Sequence, residues 1–239
     1  MEALNHLRRV GAHLSLRLLP PRCLLCGAPG DRLDLCAACR EDLPVNTVCC
    51  ARCALPLEHP AAQCGACLRR KPRWDAAWVP FRYAWPLDRL EARYKFSGQL
   101  AAGRTLAELW AQRTPPAKPQ WIVPVPLHRR RLRERGYNQA LELARVLARR
   151  QRVRLRHDVL RRVRATQAQT ELDATARRRN VRDAFELRLT AKLPAHIAVV
   201  DDVMTTGATL SECARVLKRA GVQRVDVWAL ARAPLPGQR

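Results

Sequence analysis

Residues 197–209 read Ile-Ala-Val-Val-Asp-Asp-Val-Met-Thr-Thr-Gly-Ala-Thr. The first four residues, 197–200, are apolar and predict a short buried strand. Two adjacent acids, Asp201 and Asp202, follow, and a threonine/glycine loop then leads into a predicted helix over residues 209–220. Ligands of open α/β sheets bind at the carboxyl ends of the strands. We therefore expect a ligand site at this strand end.

The loop after the two acids has the composition of an anion site. Its backbone N–H groups would gather at a helix N-terminus, where the helix dipole also favours negative charge. Gly207 lets the backbone approach a phosphate closely, and threonine hydroxyls can donate to phosphate oxygens. Because Asp201 and Asp202 can accept hydrogen bonds from neighbouring sugar hydroxyls, the combination suits a ribose 5-phosphate. The loop residues are Thr205, Thr206, Gly207, Ala208 and Thr209.

An ordinary strand–turn–helix, in which one acid or threonine caps the helix, is the simpler interpretation. Two acids, three threonines and a glycine in this order favour a sugar-phosphate site instead. The stretch also resembles the signature with which type I phosphoribosyltransferases bind 5-phosphoribosyl-1-pyrophosphate (PRPP). The resemblance implies that Asp201 and Asp202 hold the ribose hydroxyls and that residues 205–209 hold the 5-phosphate. The sequence contains no Gly-x-Gly-x-x-Gly and no Walker-type lysine loop to support a nicotinamide or ATPase site.

Nine of the ten cysteines lie between Cys23 and Cys67, where they include four Cys-x-x-Cys pairs. Two sulfurs of such a turn can bind one tetrahedral Zn²⁺ at about 2.3 Å. With no export signal, the thiols are expected to stay reduced, which favours metal over disulfides. We predict two structural Zn²⁺ sites. The predicted ligands are Cys23, Cys26, Cys36 and Cys39, then Cys50, Cys53, Cys64 and Cys67.

The spacing leaves the arrangement of these ligands open. Sequential pairing of the knuckles is the simplest arrangement, and a cross-braced pairing is also compatible with the sequence. Cys49 could replace Cys50 as a ligand. A redox-active Cys-x-x-Cys is the weaker alternative, because four pairs exceed what a redox site needs. Cys213 falls in the predicted helix after the loop and is expected to be a core residue.

Residues 123–139 start at a predicted strand end and run into a helix. Five arginines within residues 129–135 could neutralise a pyrophosphate, and Arg135 is the last of them. A solvated basic loop is the simpler interpretation for any single one of these arginines. Residues 165–180 form a second polar loop, which is long enough for a lid or a disordered segment.

After residue 71, short apolar runs alternate with helical patterns. This alternation predicts an α/β fold with a mostly parallel sheet covered on both faces. The cysteine-rich segment has little hydrophobic periodicity and could not bury a core unaided. Besides the strand and helix around residues 197–220, strands are predicted at 78–85, 121–125 and 225–230, and helices at 87–96, 100–110 and 137–150.

The N-terminal residues 1–19 have apolar side chains at helical spacing, which predicts a short amphipathic helix that docks on the rest of the protein. A helix on a membrane surface is the less favoured alternative. Charged residues interrupt this stretch, so it lacks the apolar core of a signal peptide. No apolar stretch in the sequence is long enough to span a bilayer. The expected compartment is the cytoplasm.

The 239-residue chain has a formal net charge of +23, from 44 lysines and arginines against 21 acids. Such a charge favours polyanions, and single-stranded DNA is the macromolecular partner that we expect. A compositional bias toward arginine, with no binding function, is the alternative. Aromatic residues make up only 5% of the chain, so base stacking should add little to binding.

Taken together, these motifs resemble the ComF family. The resemblance rests on the cysteine-rich N-terminus, on Pro-Val-Pro followed by Arg-Gly-Tyr-Asn-Gln at 135–139, on the threonine/glutamine loop ending in Arg-Asn at 179–180, and on the PRPP signature. It implies a double zinc ribbon at about residues 20–70 and a type I phosphoribosyltransferase-like domain at 71–239. It also implies a link to DNA uptake in natural transformation through the competence machinery. Neither the acceptor substrate nor the oligomeric state follows from any residue.

For an enzyme of this type, the resemblance implies PRPP with Mg²⁺ as substrate and a catalytic role for Asp201, Asp202 and Arg135. Arg135 would stabilise the leaving pyrophosphate, and catalysis would come from positioning and charge stabilisation. The rival hypothesis is a non-catalytic, zinc-dependent nucleic-acid-binding or regulatory protein that retains a PRPP pocket. The zinc ribbons and the charge fit the rival, whereas the intact sugar-phosphate motif favours the enzyme.

The cysteine spacing leads to a first prediction. Purified protein should contain close to two Zn²⁺ per chain, and a strong chelator should unfold the N-terminal region, because metal binding and folding are coupled in such small modules. Native mass spectrometry measures the zinc content directly. Disulfides in place of zinc would show that this prediction is wrong.

Overall fold

The structure, a computed structural model, describes residues 21–164, 180–188 and 192–234. Within these ranges a six-stranded parallel sheet has the order β1-β8-β7-β3-β4, and β2 also pairs with β8. A separate antiparallel pair is formed by β5 and β6. The strands are β1 (Ala76–Trp78), β2 (Phe81–Arg82), β3 (Trp121–Pro124), β4 (Arg154–Leu155), β5 (Leu160–Arg162), β6 (Phe185–Leu187), β7 (His196–Met204) and β8 (Arg224–Arg232). The helices are α1 (Ala37–Glu41), α2 (Gly65–Arg69), α3 (Leu87–Phe96), α4 (Leu100–Ala111), α5 (Arg129–Arg135), α6 (Gln139–Gln151) and α7 (Ala208–Arg219).

The side chains of β7, in the middle of the sheet, alternate between two hydrophobic layers. Ala198 and Val200 belong to the layer that contains the apolar faces of α3, α4 and α6. Ile197 and Val199 belong to the layer that contains the apolar face of α7. A strand buried on both faces needs apolar residues at every position, which explains the continuous apolar run. The predicted α/β fold, with a mostly parallel sheet covered on both faces, is confirmed.

The predicted helices agree with the structure to within two residues at each end. Helix α3 spans the predicted residues, and α4 extends one residue beyond the predicted end. Helix α6 begins at Gln139, two residues after the predicted start, because Asn138 caps it. The Asn138 side-chain oxygen accepts a hydrogen bond from the backbone N–H of Leu141 at 3.4 Å, which is the usual N-cap arrangement.

Two strand predictions need correction. The strand predicted over residues 78–85 is divided into β1 and β2, and Pro80 in the break has no N–H to donate to a ladder. The pairing register with β8 continues unchanged across this break, from Trp78 opposite Trp228 to Phe81 opposite Ala231. Strand β7 is longer than predicted and contains Asp201 within it. The paired acids therefore lie inside the strand rather than after it.

The arginine-rich segment 129–135 is helix α5 rather than a loop. His128 caps its N-terminus, with ring Nδ1 accepting a hydrogen bond from the backbone N–H of Arg130 at 3.3 Å. Gly136 ends the helix in the left-handed conformation, with φ of 81°, which favours glycine at this position.

Two predicted segments lie outside the described residues: the amphipathic helix over residues 1–19, and most of the polar loop over 165–180. None of the helices in the described ranges combines the length and the hydrophobicity needed to cross a bilayer.

Candidate functional site

The cysteines of the N-terminal region form two clusters of four sulfurs. The ligand atoms within each cluster lie within 4.8 Å of one another. A tetrahedral Zn²⁺ with bonds of about 2.3 Å separates its sulfurs by about 3.8 Å. The Sγ atoms of Cys26 and Cys36, and those of Cys53 and Cys64, are 3.7 Å apart. The first cluster comprises Cys23, Cys26, Cys36 and Cys39, and the second comprises Cys50, Cys53, Cys64 and Cys67.

The structure groups the cysteines sequentially, and it is Cys50 rather than Cys49 that joins the second cluster. Backbone N–H groups support the sulfurs. That of Cys39 points at the Cys36 sulfur at 3.5 Å, and that of Cys64 at the Cys50 sulfur at 3.3 Å. Such contacts stabilise thiolates and orient them toward a metal. The donor set and its geometry therefore fit two structural Zn²⁺ ions.

The two cysteine clusters pack on opposite faces of the sheet. The first belongs to the hydrophobic layer of α3, α4 and α6, and the second to the layer of α7. Near the first cluster, the Thr105 hydroxyl of α4 donates to the Leu33 carbonyl at 2.7 Å, and the Arg93 guanidinium of α3 donates to the Leu24 carbonyl. The zinc ribbons thus form part of both hydrophobic layers of the α/β domain.

The two acids of β7 lie in a highly charged environment. Lys95, on α3, places its ammonium 3.0 Å from an Asp202 carboxylate oxygen and 3.0 Å from a Glu91 oxygen. Glu91 is fully buried, and the Asp202 side chain is only 13% exposed. Arg135, at the end of α5, is half-buried, and the charges of Asp202 and Glu91 act on its guanidinium. Arg162 of β5 is electrostatically coupled to Asp201.

Burial and the neighbouring Asp202 charge together raise the pKa of Asp201 to about 8. Burial also opposes ionisation of Asp202, but the ion pair with Lys95 lowers the pKa of Asp202 below its usual value. Burial and the Asp202 charge raise the pKa of Glu91 to about 7. Near neutral pH, the two adjacent acids of β7 therefore differ: Asp202 carries the negative charge and Asp201 retains its proton. Strongly perturbed carboxyl groups of this kind are typical of functional sites.

Lys95 and Glu91 were not among the residues predicted for the site. A signal for Glu91 is visible in the sequence, because it falls on the apolar stripe of α3, whose buried residues are Leu87, Leu90 and Tyr94. A charged residue on a buried helix face requires a charged partner. The partner four residues later, Lys95, could be inferred from the helical spacing, but its contact with Asp202 across two elements could not.

The loop that the sequence predicts to bind phosphate, residues 205–209, connects β7 to the N-terminus of α7, and we refer to it as the phosphate loop. The Thr206 hydroxyl accepts a hydrogen bond from the backbone N–H of Ala208 at 3.3 Å. Gly207 has φ of 71°, and a Cβ added there would lie 2.7 Å from the Trp74 ring and 2.8 Å from the Met204 side chain. Only glycine fits this position, because both the backbone angle and the space exclude a side chain. The loop thus places the positive end of the α7 dipole beside the two acids.

The arginines of α5 do not all face the site. Arg130 and Arg131 form ion pairs with Glu134, at 3.0 and 3.2 Å, on the exposed side of the helix. Arg133 is also exposed. Arg135, in contrast, is electrostatically coupled to Asp202. Of these arginines, Arg135 therefore remains the candidate for the predicted interaction with pyrophosphate.

A cleft of about 910 Å³ adjoins the phosphate loop, between the second cysteine cluster and α7. Arg182 and Arg215 in its wall form ion pairs with Asp183. Four cations at exposed positions of the wall form no ion pair with any described residue, although the charge of Arg73 also acts on Glu212. These cations are Arg70, Lys71, Arg73 and Arg219.

Comparison with known proteins shows to which family the chain belongs. Residues 14–68 match the model of the double zinc ribbon domain. The chain is 38% identical over 208 residues to competence protein F of Haemophilus influenzae, covering 83% of this chain and 90% of that protein. It is 35% identical over 223 residues to DNA utilization protein YhgH of Salmonella typhimurium, covering 90% and 98%. The chain belongs to the ComF family.

A more distant ComF relative is competence protein ComFC of Streptococcus pneumoniae, which is 26% identical over 156 residues, covering 64% of this chain and 66% of that protein. The ComF family is related to phosphoribosyltransferases. The match to the double zinc ribbon covers both cysteine clusters. Structural zinc is therefore supported by the match to a family model and by the sulfur geometry.

Asp201→Asn and Asp202→Asn are predicted to change the stability of the protein in opposite directions, because the pKa values of these two acids are shifted in opposite directions. Because the pKa of Asp201 is above its unfolded value, the contribution of Asp201 to the stability of the wild-type protein falls as the pH rises from about 4 to about 8. Asp201→Asn removes this loss, so the variant should exceed the wild type in stability by an amount that grows across that window. Asp202→Asn should destabilise at neutral pH, because it removes an ionised partner of Lys95.

Urea unfolding of the wild type and both variants, with zinc held constant, measures these differences between about pH 5 and about pH 9. Each variant is compared with the wild type at the same pH, so the pH dependence of zinc binding cancels. An Asp201→Asn protein that is less stable than the wild type at the upper end of the range would show that Asp201 is not a buried, repelled carboxyl group.

Proposed function

We propose that this ComF protein binds PRPP at the end of β7 and the start of α7. One observation carries the proposal: two adjacent carboxyl groups lie in the C-terminal half of β7, and a glycine-bearing loop at a helix N-terminus follows directly after the strand. The helix N-terminus and its dipole suit the 5-phosphate. Asp201 and Asp202 suit the two ribose hydroxyls, which can each donate a hydrogen bond to a carboxyl oxygen.

The difference in protonation between the two acids supports this assignment. Two ionised carboxylates in contact would repel each other, whereas one charged and one neutral group can both accept hydrogen bonds from a diol. Lys95 balances the charge of Asp202, and it adds a cation next to the position proposed for the sugar. Arg135 provides a further cation on the α5 side of the acids, which suits the pyrophosphate group.

As an enzyme, the protein would transfer the phosphoribosyl group from PRPP to an acceptor. The bond from C1 to the pyrophosphate oxygen breaks, pyrophosphate leaves, and the acceptor nucleophile forms the new bond to C1. Arg135 would stabilise the negative charge that develops on pyrophosphate, and the carboxyl groups would hold the ribose in place. Among the described residues, the two cysteine clusters are the groups in which three or more potential metal ligands lie close together. Mg²⁺ would therefore be held largely by PRPP and water, with an oxygen of the ionised Asp202 as a hard donor.

Replacement of both acids tests the PRPP site. Asp201→Asn with Asp202→Asn should weaken binding of PRPP and ribose 5-phosphate by at least about tenfold, the effect of losing one hydrogen bond to a charged group. Calorimetry gives the affinities, and circular dichroism shows whether the variant is folded. A matched control is Glu142→Gln with Glu186→Gln, which removes two acids from surface ion pairs and should leave the affinity unchanged. Unchanged affinity in the folded double-aspartate variant would contradict the assignment.

A second function, binding of single-stranded DNA, is favoured by two observations. The relatives are named as competence and DNA utilization proteins, which links this chain to DNA uptake by similarity. The four exposed cations of the cleft that form no ion pair with a described residue suit a chain of phosphates. A non-catalytic protein that binds DNA and retains the PRPP pocket is the alternative to an enzyme. Release of pyrophosphate from PRPP with candidate acceptors, including those found by metabolite pull-down, distinguishes the two.

The charge in the cleft predicts a DNA affinity that depends strongly on salt. For single strands, each neutralised phosphate contributes a slope of about −0.7 in log K against log salt. The triple variant Lys71→Ala, Arg73→Ala, Arg219→Ala should make this slope about 2 units less negative, while it weakens binding. The matched control replaces Arg145, Arg149 and Arg150 of α6 by alanine, because these cations are already paired with Glu142 and Glu108.

Fluorescence anisotropy with a labelled oligonucleotide across a salt series measures both slopes. Equal effects of the two triple variants would show that total charge, rather than the cleft, determines binding. Absence of binding at low salt would show that the positive charge reflects composition alone. Competition by PRPP would indicate that DNA also covers the neighbourhood of Arg135 and the phosphate loop.

A further inference from the structure

The phosphate loop is attached to the second cysteine cluster through Arg232, the last residue of β8. This side chain is only 3% exposed. Its guanidinium donates to the carbonyl of Met204 at 2.9 Å and to the carbonyl of Thr205. Its Nε donates to the carbonyl of Cys53 at 3.1 Å. One buried side chain thus joins the start of the phosphate loop to a predicted zinc ligand.

Trp74 makes a second attachment between the same two regions. Its indole N–H donates to the carbonyl of Arg52 at 2.8 Å, and the ring is 4% exposed. The ring lies against Gly207, so closely that a Cβ on that glycine would be 2.7 Å from it. Both side chains therefore hydrogen-bond to the same turn, Cys50-x-x-Cys53. Arg232 also hydrogen-bonds to the start of the phosphate loop, and Trp74 packs against its glycine.

The conformation of this turn depends on its sulfurs. A Cys-x-x-Cys turn is fixed when both sulfurs bind one ion, and modules of this kind lose their fold without the metal. The carbonyls of Arg52 and Cys53 belong to that turn, so we expect their positions to depend on the assembly of the second cluster. In the described part of the chain, hydrogen bonds join the region of the first cluster to α3 and α4 instead. Their side-chain donors are Arg93, Arg104 and Thr105.

We propose that Arg232 and Trp74 are positioning residues through which the second zinc site, and not the first, holds the phosphate loop in its binding conformation. The inference rests on the proposed function for its ligand, ribose 5-phosphate or PRPP. Its structural part, the order of residues 205–209, does not depend on that ligand. Zinc at the second site would then determine the affinity of a phosphate site to which it contributes no ligand atom.

Substitution of the two positioning residues tests the attachments. Arg232→Met and Trp74→Phe each remove the hydrogen bonds to the cysteine turn while keeping an apolar side chain in place. The controls are Arg161→Met, which removes one exposed arginine, and Trp121→Phe on β3, a strand that β7 separates from β8. Arg232→Lys keeps the positive charge, but its single ammonium group cannot reach both the Cys53 carbonyl and the Met204 carbonyl. It therefore provides the same test if Arg232→Met does not fold.

Two measurements are made on each folded variant with two Zn²⁺ bound. Hydrogen exchange of residues 205–209 should become faster in the Arg232 and Trp74 variants, and calorimetry should show ribose 5-phosphate binding weakened by about tenfold, the effect of losing one hydrogen bond. Both controls should behave as the wild type. Wild-type exchange at residues 205–209 in the Arg232 and Trp74 variants would overturn the inference.

A zinc arm compares the two sites. Cys67→Ser removes a ligand of the second cluster, and Cys39→Ser removes one of the first. Loss of protection at residues 205–209 in Cys67→Ser alone is the expected result, and equal loss in both variants would overturn the specific role of the second site. If wild-type protein binds neither ribose 5-phosphate nor PRPP, the proposed function fails, whereas the exchange data still decide whether zinc orders the loop.

Discussion

The ion pair between Lys95 and Asp202 is the interaction around which the site is organised. Strand β7 is buried on both faces, yet it carries two adjacent acids. A buried carboxylate without a partner is very unfavourable. Lys95 compensates one negative charge, and the second acid, Asp201, remains protonated near neutral pH. Lys95 lies in the last turn of α3, and the packing of α3 in the hydrophobic layer that it shares with α4 brings Lys95 within reach of the strand.

The two zinc ribbons pack on the two faces of the sheet that carries these acids. The first cysteine cluster packs beside α3, the helix that carries Lys95, and the second packs beside the phosphate loop. A small ribbon has too little apolar surface to fold unaided, but here its buried residues belong to the hydrophobic layers of the larger domain. On our proposal, the second metal site supports the proposed ligand site as well as its own loops. Through this arrangement, zinc would support the proposed sugar-phosphate site without contributing a ligand atom to it.

Local features of the sequence predicted much of this structure. The apolar run before Asp201, the capped helices and the Cys-x-x-Cys pairs each depend on neighbouring residues, and their positions agree with the structure to within a few residues. The predicted site residues that depend on local order, Asp201 to Thr209, lie together in one strand–loop–helix. The break in the strand at residues 79–80 has a local cause, Pro80, which could have been recognised from the sequence.

The remaining features depend on contacts between distant segments. Arg232 is 179 residues from Cys53 along the chain, and no pattern around either residue indicates that they are hydrogen-bonded. The same holds for Lys95 with Asp202 and for Trp74 with Gly207. The division of the arginines of α5 between surface ion pairs and the site depends on the rotation of that helix, which only the packed structure determines. Tertiary contacts of this kind need the fold before they can be inferred.

The acids of β7 are proposed to recognise the hydroxyls on C2 and C3 of a ribose 5-phosphate. The most direct test compares the affinities of ribose 5-phosphate and 2-deoxyribose 5-phosphate for the same protein by calorimetry, with inorganic phosphate as the baseline. If Asp201 and Asp202 accept hydrogen bonds from the diol, loss of one hydroxyl should weaken binding by about tenfold or more, because a buried acceptor loses its partner. Equal affinities for the two sugars would contradict the account, since the phosphate alone would then explain binding.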